Sequence, residues 1–184
     1  MRYNSKEIQL EDHRKLILRS CEKDDAQRFL DFFILVSSET ENMIRYPEEI
    51  TISVEQEKEI LERYLMSSCQ WMVGAFDQDR LVGNISFGSV NQRIKMRHRA
   101  TFGITICKEY WHVGLGKILM KEMLNYLIHY QYEQVELEVL ASNKNAIHLY
   151  EKMGFKECGR MPHGIRLKNG TYVDLISMVK FLNE

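Results

Sequence analysis

Gly114 and Gly116, followed at once by Lys117, are the residues whose types and spacing point most directly to chemistry. They stand after a β-branched, apolar run (Phe102, Ile104, Thr105, Ile106) and before a strongly periodic helical stretch. A strand that passes through glycines into a helix exposes backbone N–H groups, because the first four amides of a helix have no partner within it. Those amides and the helix dipole make a seat for an anion, and glycine lets phosphate oxygens reach the main chain with no Cβ in the way. Lys117 adds a mobile positive charge. Two other phosphate loops do not fit: a P-loop would need glycine at Trp111 and Ser or Thr at Ile118, and a dinucleotide fingerprint would need a small residue at Leu119. The plain alternative is an ordinary strand-to-helix turn that tolerates glycine.

Other charged clusters are less specific. Glu39, Glu41, Glu48 and Glu49 fall in a stretch, Ser37 to Ile52, that reads as a long loop; they suit a cationic amine or simply water. Arg93, Lys95, Arg97, His98 and Arg99 read as a solvated hairpin connection, since no aromatics interleave them for base stacking. With a formal net charge of -1, the chain has no global basic field to recruit nucleic acid or an anionic membrane. Four scattered cysteines, with no C-x-x-C pair, read as buried reduced thiols, and no metal site is expected. No apolar run approaches the ~18 residues of a membrane span, and the charged start lacks a secretory core, so a cytoplasmic protein is expected.

At 184 residues and 45% hydrophobic, the chain suits one domain, with residues 1–14 as a polar lead-in and 15–184 as the domain. Leu16 to Leu18 predicts a strand, and Asp24 to about Val36 a helix with Ala26, Phe29, Leu30 and Phe33 on one face. Ser53-x-x-Gln56 is a capping box opening a second helix. Gln70 to Phe76 and Leu81 to Val90 flank a four-residue turn, Asp77 to Arg80, and Thr101 to Cys107 pairs back. A helix beginning near Gly114 precedes a strand over Gln134 to Leu140, where Val135, Leu137 and Val139 alternate with Glu136 and Glu138. Asn143 to Met153 is a shorter helix ended by Gly154. Phe155 to Met161 and Tyr172 to Phe181 are strands joined through Pro162 to Thr171. The order is β-α-α-β-β-β-α-β-α-β-β.

Trp111-x-x-Gly114-x-Gly116 resembles the Gln/Arg-x-x-Gly-x-Gly/Ala loop of the Gcn5-related N-acetyltransferase (GNAT) superfamily, with Trp111 where that motif has Gln or Arg. Leu137-Glu138-Val139-x-x-x-Asn143-x-x-Ala146-Ile147-x-Leu149-Tyr150-Glu151-Lys152-x-Gly154-Phe155 resembles its second signature, and the element order matches. The resemblance, spanning roughly Leu16 to Phe181, implies a single-domain α/β fold of the α+β type. Its mixed sheet would have six to seven strands with about four helices, splayed between strands four and five.

By the same resemblance, Ile104, Thr105 and Ile106 bond the pantetheine arm of acetyl-CoA, while His112, Val113, Gly114, Leu115, Gly116 and Lys117 surround its pyrophosphate. Asn143 caps its helix or bonds the arm. Glu138 matches a catalytic base, against the alternative of a strand glutamate in a salt bridge. Tyr150 matches an acid near the sulfur, against a core tyrosine. Glu39 and Glu41 are rival bases or substrate contacts. The implied activity is direct acetyl transfer to a primary amine, a small amine or amino acid being favoured over a protein or peptide N-terminus. A non-catalytic acyl-CoA sensor is the alternative, and a homodimer is expected only by analogy.

Overall fold

The computed structural model describes residues 1–183. These form eight strands and four α-helices, arranged in two compact units. The first comprises Met1–Gly88 with Gly103–Leu119, and the second begins with Ser89–Phe102 and resumes at Met120.

In the first unit β1 (Lys6–Gln9) and β2 (Lys15–Arg19) form an antiparallel hairpin with Ile8 opposite Leu16. The lead-in of residues 1–14 therefore contains a strand that raises the count above the expected six to seven. β1 carries one apolar residue, Ile8, so its alternation is too thin to read. Asp25, which is buried, holds Arg19 through two bonds of 2.6 and 2.8 Å and accepts from Glu22 N–H at 2.9 Å, part of the capping box of a 3-10 turn over Lys23–Asp25. Helix α1 (Ala26–Glu39) buries Phe29, Leu30 and Phe32. It ends later than expected, and a 3-10 turn over Pro47–Glu49 interrupts the supposed long loop. The capping box of α2 (Val54–Met66) forms as read: Ser53 Oγ accepts from Gln56 N–H at 3.2 Å, and Gln56 Oε1 accepts from Ser53 N–H at 2.8 Å. Glu57, on this helix, is buried, and burial pushes its carboxyl up to about 7 despite the opposing charge of Arg45.

Strands β3 (Gln70–Asp77) and β4 (Arg80–Ser89) follow, antiparallel, with β3 also paired to β2. Asp77 pairs with Arg80 in the ladder, so the four-residue turn is a two-residue loop, Gln78-Asp79, with Gln78 at φ +52°. Every residue from Trp71 to Phe76 is buried, as expected of a strand covered on both faces. β5 (Arg99–Ile106) and α3 (Leu115–His129) each begin in one unit and end in the other. Leu115, Leu119, Met120, Met123 and Leu127 of α3 are fully buried, each side chain contributing about 1.5–3 kcal/mol.

In the second unit β6 (Gln134–Leu140) runs parallel to the start of β5 and antiparallel to the last strand. Helix α4 (Lys144–Lys152) is followed by Gly154 at φ +89°, a left-handed stop. β7 (Lys156–Arg166) pairs with β8 (Tyr172–Phe181), giving the order β5-β6-β8-β7. β7 is longer than expected, continuing through Pro162 with register shifts at Glu157/Gly159 and Met161/Ile165. A proline is tolerated there because an outermost strand needs ladder bonds on one side alone. Of the cysteines, Cys21 and Cys107 are buried as expected, but Cys69 is half-buried and Cys158 exposed; all four are free thiols. Among the described residues no helix is long and apolar enough to cross a membrane.

Candidate active site

The anion seat lies wholly in the first unit. Past β5, Cys107 N–H bonds Val82 C=O at 3.0 Å, and a 3-10 turn over Lys108–Tyr110 leads into the glycines. Several side chains brace this passage. Glu39 Oε2 accepts from Lys108 N–H at 2.8 Å, the Tyr110 hydroxyl donates to Asp77 at 2.6 Å, and Trp111 Nε1 donates to Ile106 C=O at 2.8 Å. Burial, then the bond to Asp77, raises the Tyr110 phenol to about 12, so it stays a donor. His112 at φ +61° and Gly114 at φ +88° turn the chain into α3.

Ile118 N–H bonds Gly114 C=O at 3.1 Å, closing the first turn of the helix. The amides of Leu115, Gly116 and Lys117 lie ahead of it and have no acceptor among the described residues. The turn is seated on β4: a Cβ at Gly83 would stand 3.2 Å from Leu115 and 3.5 Å from Leu119. Lys117 is exposed and makes no ion pair among the described residues. Ile104, Thr105 and Ile106, at the end of β5, are half-buried.

The second unit carries Glu138, Asn143 and Tyr150. β6 is paired to β8 along its whole length, Gln134–Leu140 against Phe181–Leu175. Toward β5 the ladder covers Gln134–Glu136 against Arg99–Thr101. Glu136 is held by Arg99, with both oxygens at 2.8 Å. Glu138, two residues on and therefore on the same face, is exposed and has neither ion pair nor hydrogen bond to its carboxylate among the described residues. The salt bridge weighed for Glu138 thus belongs to Glu136.

Asn143 is the cap of α4, its Oδ1 accepting from Ala146 N–H at 3.2 Å. Tyr150 is the one fully buried residue of that helix; Ala146 and Ile147 are half-buried. Its ring meets Phe102 edge-on at 5.9 Å and Phe155 at 6.0 Å. Burial pushes its phenol up to about 12, and its hydroxyl has no partner among the described residues.

Sequence reasoning assigned Glu39 and Glu41 to substrate. Glu39 is a brace for Lys108, while Glu41 is exposed with no partner among the described residues. It missed Glu11, whose side chain lies against Gly114: a Cβ on that glycine would stand 3.0 Å from Glu11 Oε1. Nothing in the local sequence signals this contact. It depends on a turn docking from far earlier in the chain.

The chain is similar to known proteins in sequence and in fold. Residues 35–155 match the model of the acetyltransferase (GNAT) family. The chain is 33% identical to the L-amino acid N-acetyltransferase AaaT of Escherichia coli over 110 residues, 59% of this chain and 66% of that protein. It is 27% identical to the spermidine N(1)-acetyltransferase of Vibrio cholerae over 177 residues, 92% of this chain and 97% of that protein. A solved GNAT-family acetyltransferase from Streptococcus pneumoniae superposes with a TM-score of 0.85 at 29% identity, covering 90% of this chain and 99% of its own.

Proposed function

The chain belongs to the acetyltransferase (GNAT) family, and we propose that it transfers an acetyl group from acetyl-CoA to the primary amine of a small molecule, an amino acid or a polyamine. The observation that carries this reading is the run of unpaired amides at Leu115, Gly116 and Lys117, opened by a left-handed Gly114 and accompanied by an unpaired Lys117. Such a terminus suits a diphosphate. The half-buried Ile104 to Ile106 suit an apolar arm whose amides add to the strand. The amino-acid and spermidine acetyltransferases support the acceptor class.

When bound, acetyl-CoA supplies an activated thioester carbonyl. The chain's residues must neutralise the amine, polarise that carbonyl and stabilise the departing sulfur. At pH 7 about one part in 10³ of a lysine-like amine is neutral, against about a tenth of an α-amine, so a base matters most for the former. Glu138 takes that proton, directly or through water; an exposed, unpaired carboxylate is suited to both. A backbone N–H near Ile104 or Ile106 polarises the carbonyl.

Tyr150 acts on the sulfur. A phenol held near 12 would release its proton to a thiolate whose conjugate thiol lies near ~8.5 only uphill. It works as a hydrogen-bond donor to the forming thiolate, keeping its own proton. The test is thiol release from acetyl-CoA with a panel of amino acids, polyamines and peptide N-termini. Turnover with a small amine is expected. Tight binding of acetyl-CoA without release on any amine would leave a binding module in its place.

A further inference from the structure

The turn between β1 and β2 is fastened to the glycine loop. It closes tightly, with Leu10 N–H to Arg14 C=O at 2.8 Å, His13 N–H to Leu10 C=O at 3.0 Å, and His13 itself at φ +70°. Four contacts tie it to residues 109–113, among them an Arg14–Glu109 ion pair at 3.6 Å. Glu11 N–H bonds Val113 C=O at 3.1 Å, Arg14 donates to Glu109 C=O at 3.1 Å, and the Arg14 guanidinium lies 4.0 Å over the Tyr110 ring. Asp12 orients Arg14 through a 2.7 Å bond from its Nε. The Glu11 side chain is consequently laid along Gly114, its Cγ, Cδ and Oε1 at 3.2, 3.2 and 3.0 Å from where a Cβ would be.

This carboxylate is exposed and has no hydrogen bond or ion pair among the described residues. It therefore sets a negative charge with no ion-pair partner against Gly114, the residue that leads into the amides of Leu115 to Lys117. In the empty chain that charge is favoured by the positive end of the α3 dipole. A diphosphate entering the same seat meets it as a like charge at close range. The backbone bond to Val113 keeps Glu11 at the loop, so the side chain can swing aside but the residue cannot leave.

We infer that Glu11 is an affinity-setting residue of the loop, an internal anion that a diphosphate must displace and that hastens departure of the CoA product. The inference rests on the reading of the loop as an acetyl-CoA site. Glu11→Gln keeps the size and the main-chain bond and removes the charge. Calorimetric titration of the full chain with CoA, acetyl-CoA and inorganic pyrophosphate is the test. The variant is expected to bind all three tighter by about 3- to 10-fold at low salt, a gain that shrinks as salt screens it. Its ligand-free melting temperature should fall slightly, because the favourable interaction of the charge with the helix dipole is lost while the main-chain bond to Val113 remains.

Unchanged or weaker CoA binding would overturn the inference, making Glu11 a bystander or an acceptor for the adenosine end. Tightening for CoA but not for pyrophosphate would overturn it too. A parent chain that binds no CoA would instead remove the functional reading, so the two failures are distinct.

Discussion

The passage from Cys107 to Lys117 and the stretch from β6 to α4 solve opposite problems. In the first, the groups offered to a ligand belong to the main chain, and side chains work as braces: Glu39 on Lys108, Trp111 on Ile106, Tyr110 on Asp77. In the second, the main chain of β6 is paired to β8 along its whole length and to β5 over Gln134–Glu136, and the groups the reaction calls on are side chains without partners, Glu138 and the Tyr150 hydroxyl, among the described residues. A main-chain seat must be held rigid by others. A reactive side chain must be left without partners.

The contrast breaks first at Glu138. Glu138→Gln should lower kcat by about 10²-fold or more for a lysine-like amine while leaving the affinity for CoA alone. Glu136→Gln, which severs the Arg99 pair, should affect stability instead. Equal losses from both, in steady-state kinetics, would mean that being unpaired marks nothing.

Glu57 sharpens the comparison, being a carboxyl that is buried instead of exposed. Burial lifts it from 4.5 to about 7, so the folded chain retains a proton that the unfolded chain releases between those values. Stability is full below the lower value and falls as pH rises through the upper one, by up to about 3 kcal/mol. Melting curves across that window should show the fall, and Glu57→Gln should flatten it.

Tyr150→Phe should reduce kcat by about 10- to 100-fold, the worth of a hydrogen bond to a charged group. Its melting temperature should stay level or rise, because the hydroxyl it removes has no partner among the described residues. A stability loss with intact turnover would make Tyr150 a core residue. The smallest effect is expected at Glu39→Ala, about 1 kcal/mol of stability with a weaker, still measurable affinity for CoA, checked by melting and titration together.

Much of this was legible because some segments state one message at every level. β6 alternates, Asn143 stands ready to cap, Ser53 and Gln56 complete their box, and Gly154 ends its helix. β1 was hidden because a strand with Ile8 as its single apolar residue takes its place from pairing with β2. β7 was shortened in reading because Pro162 looks like a stop, which it is not in a strand with a free side. At the site, the glycines were visible since the conformation they permit is local. The bracing role of Glu39 and the contact of Glu11 were not, since each meets its target only after distant parts of the chain have packed.

The irregular course of β7 bears on how the chain behaves in concentrated solution. Two register shifts, a residue lacking an N–H and the charges of Lys156 and Arg160 make its outer side a poor template for a foreign strand. Replacing Pro162 with a β-branched residue would lengthen the uninterrupted border. The result would be a gain in self-association and sedimenting material, seen by light scattering.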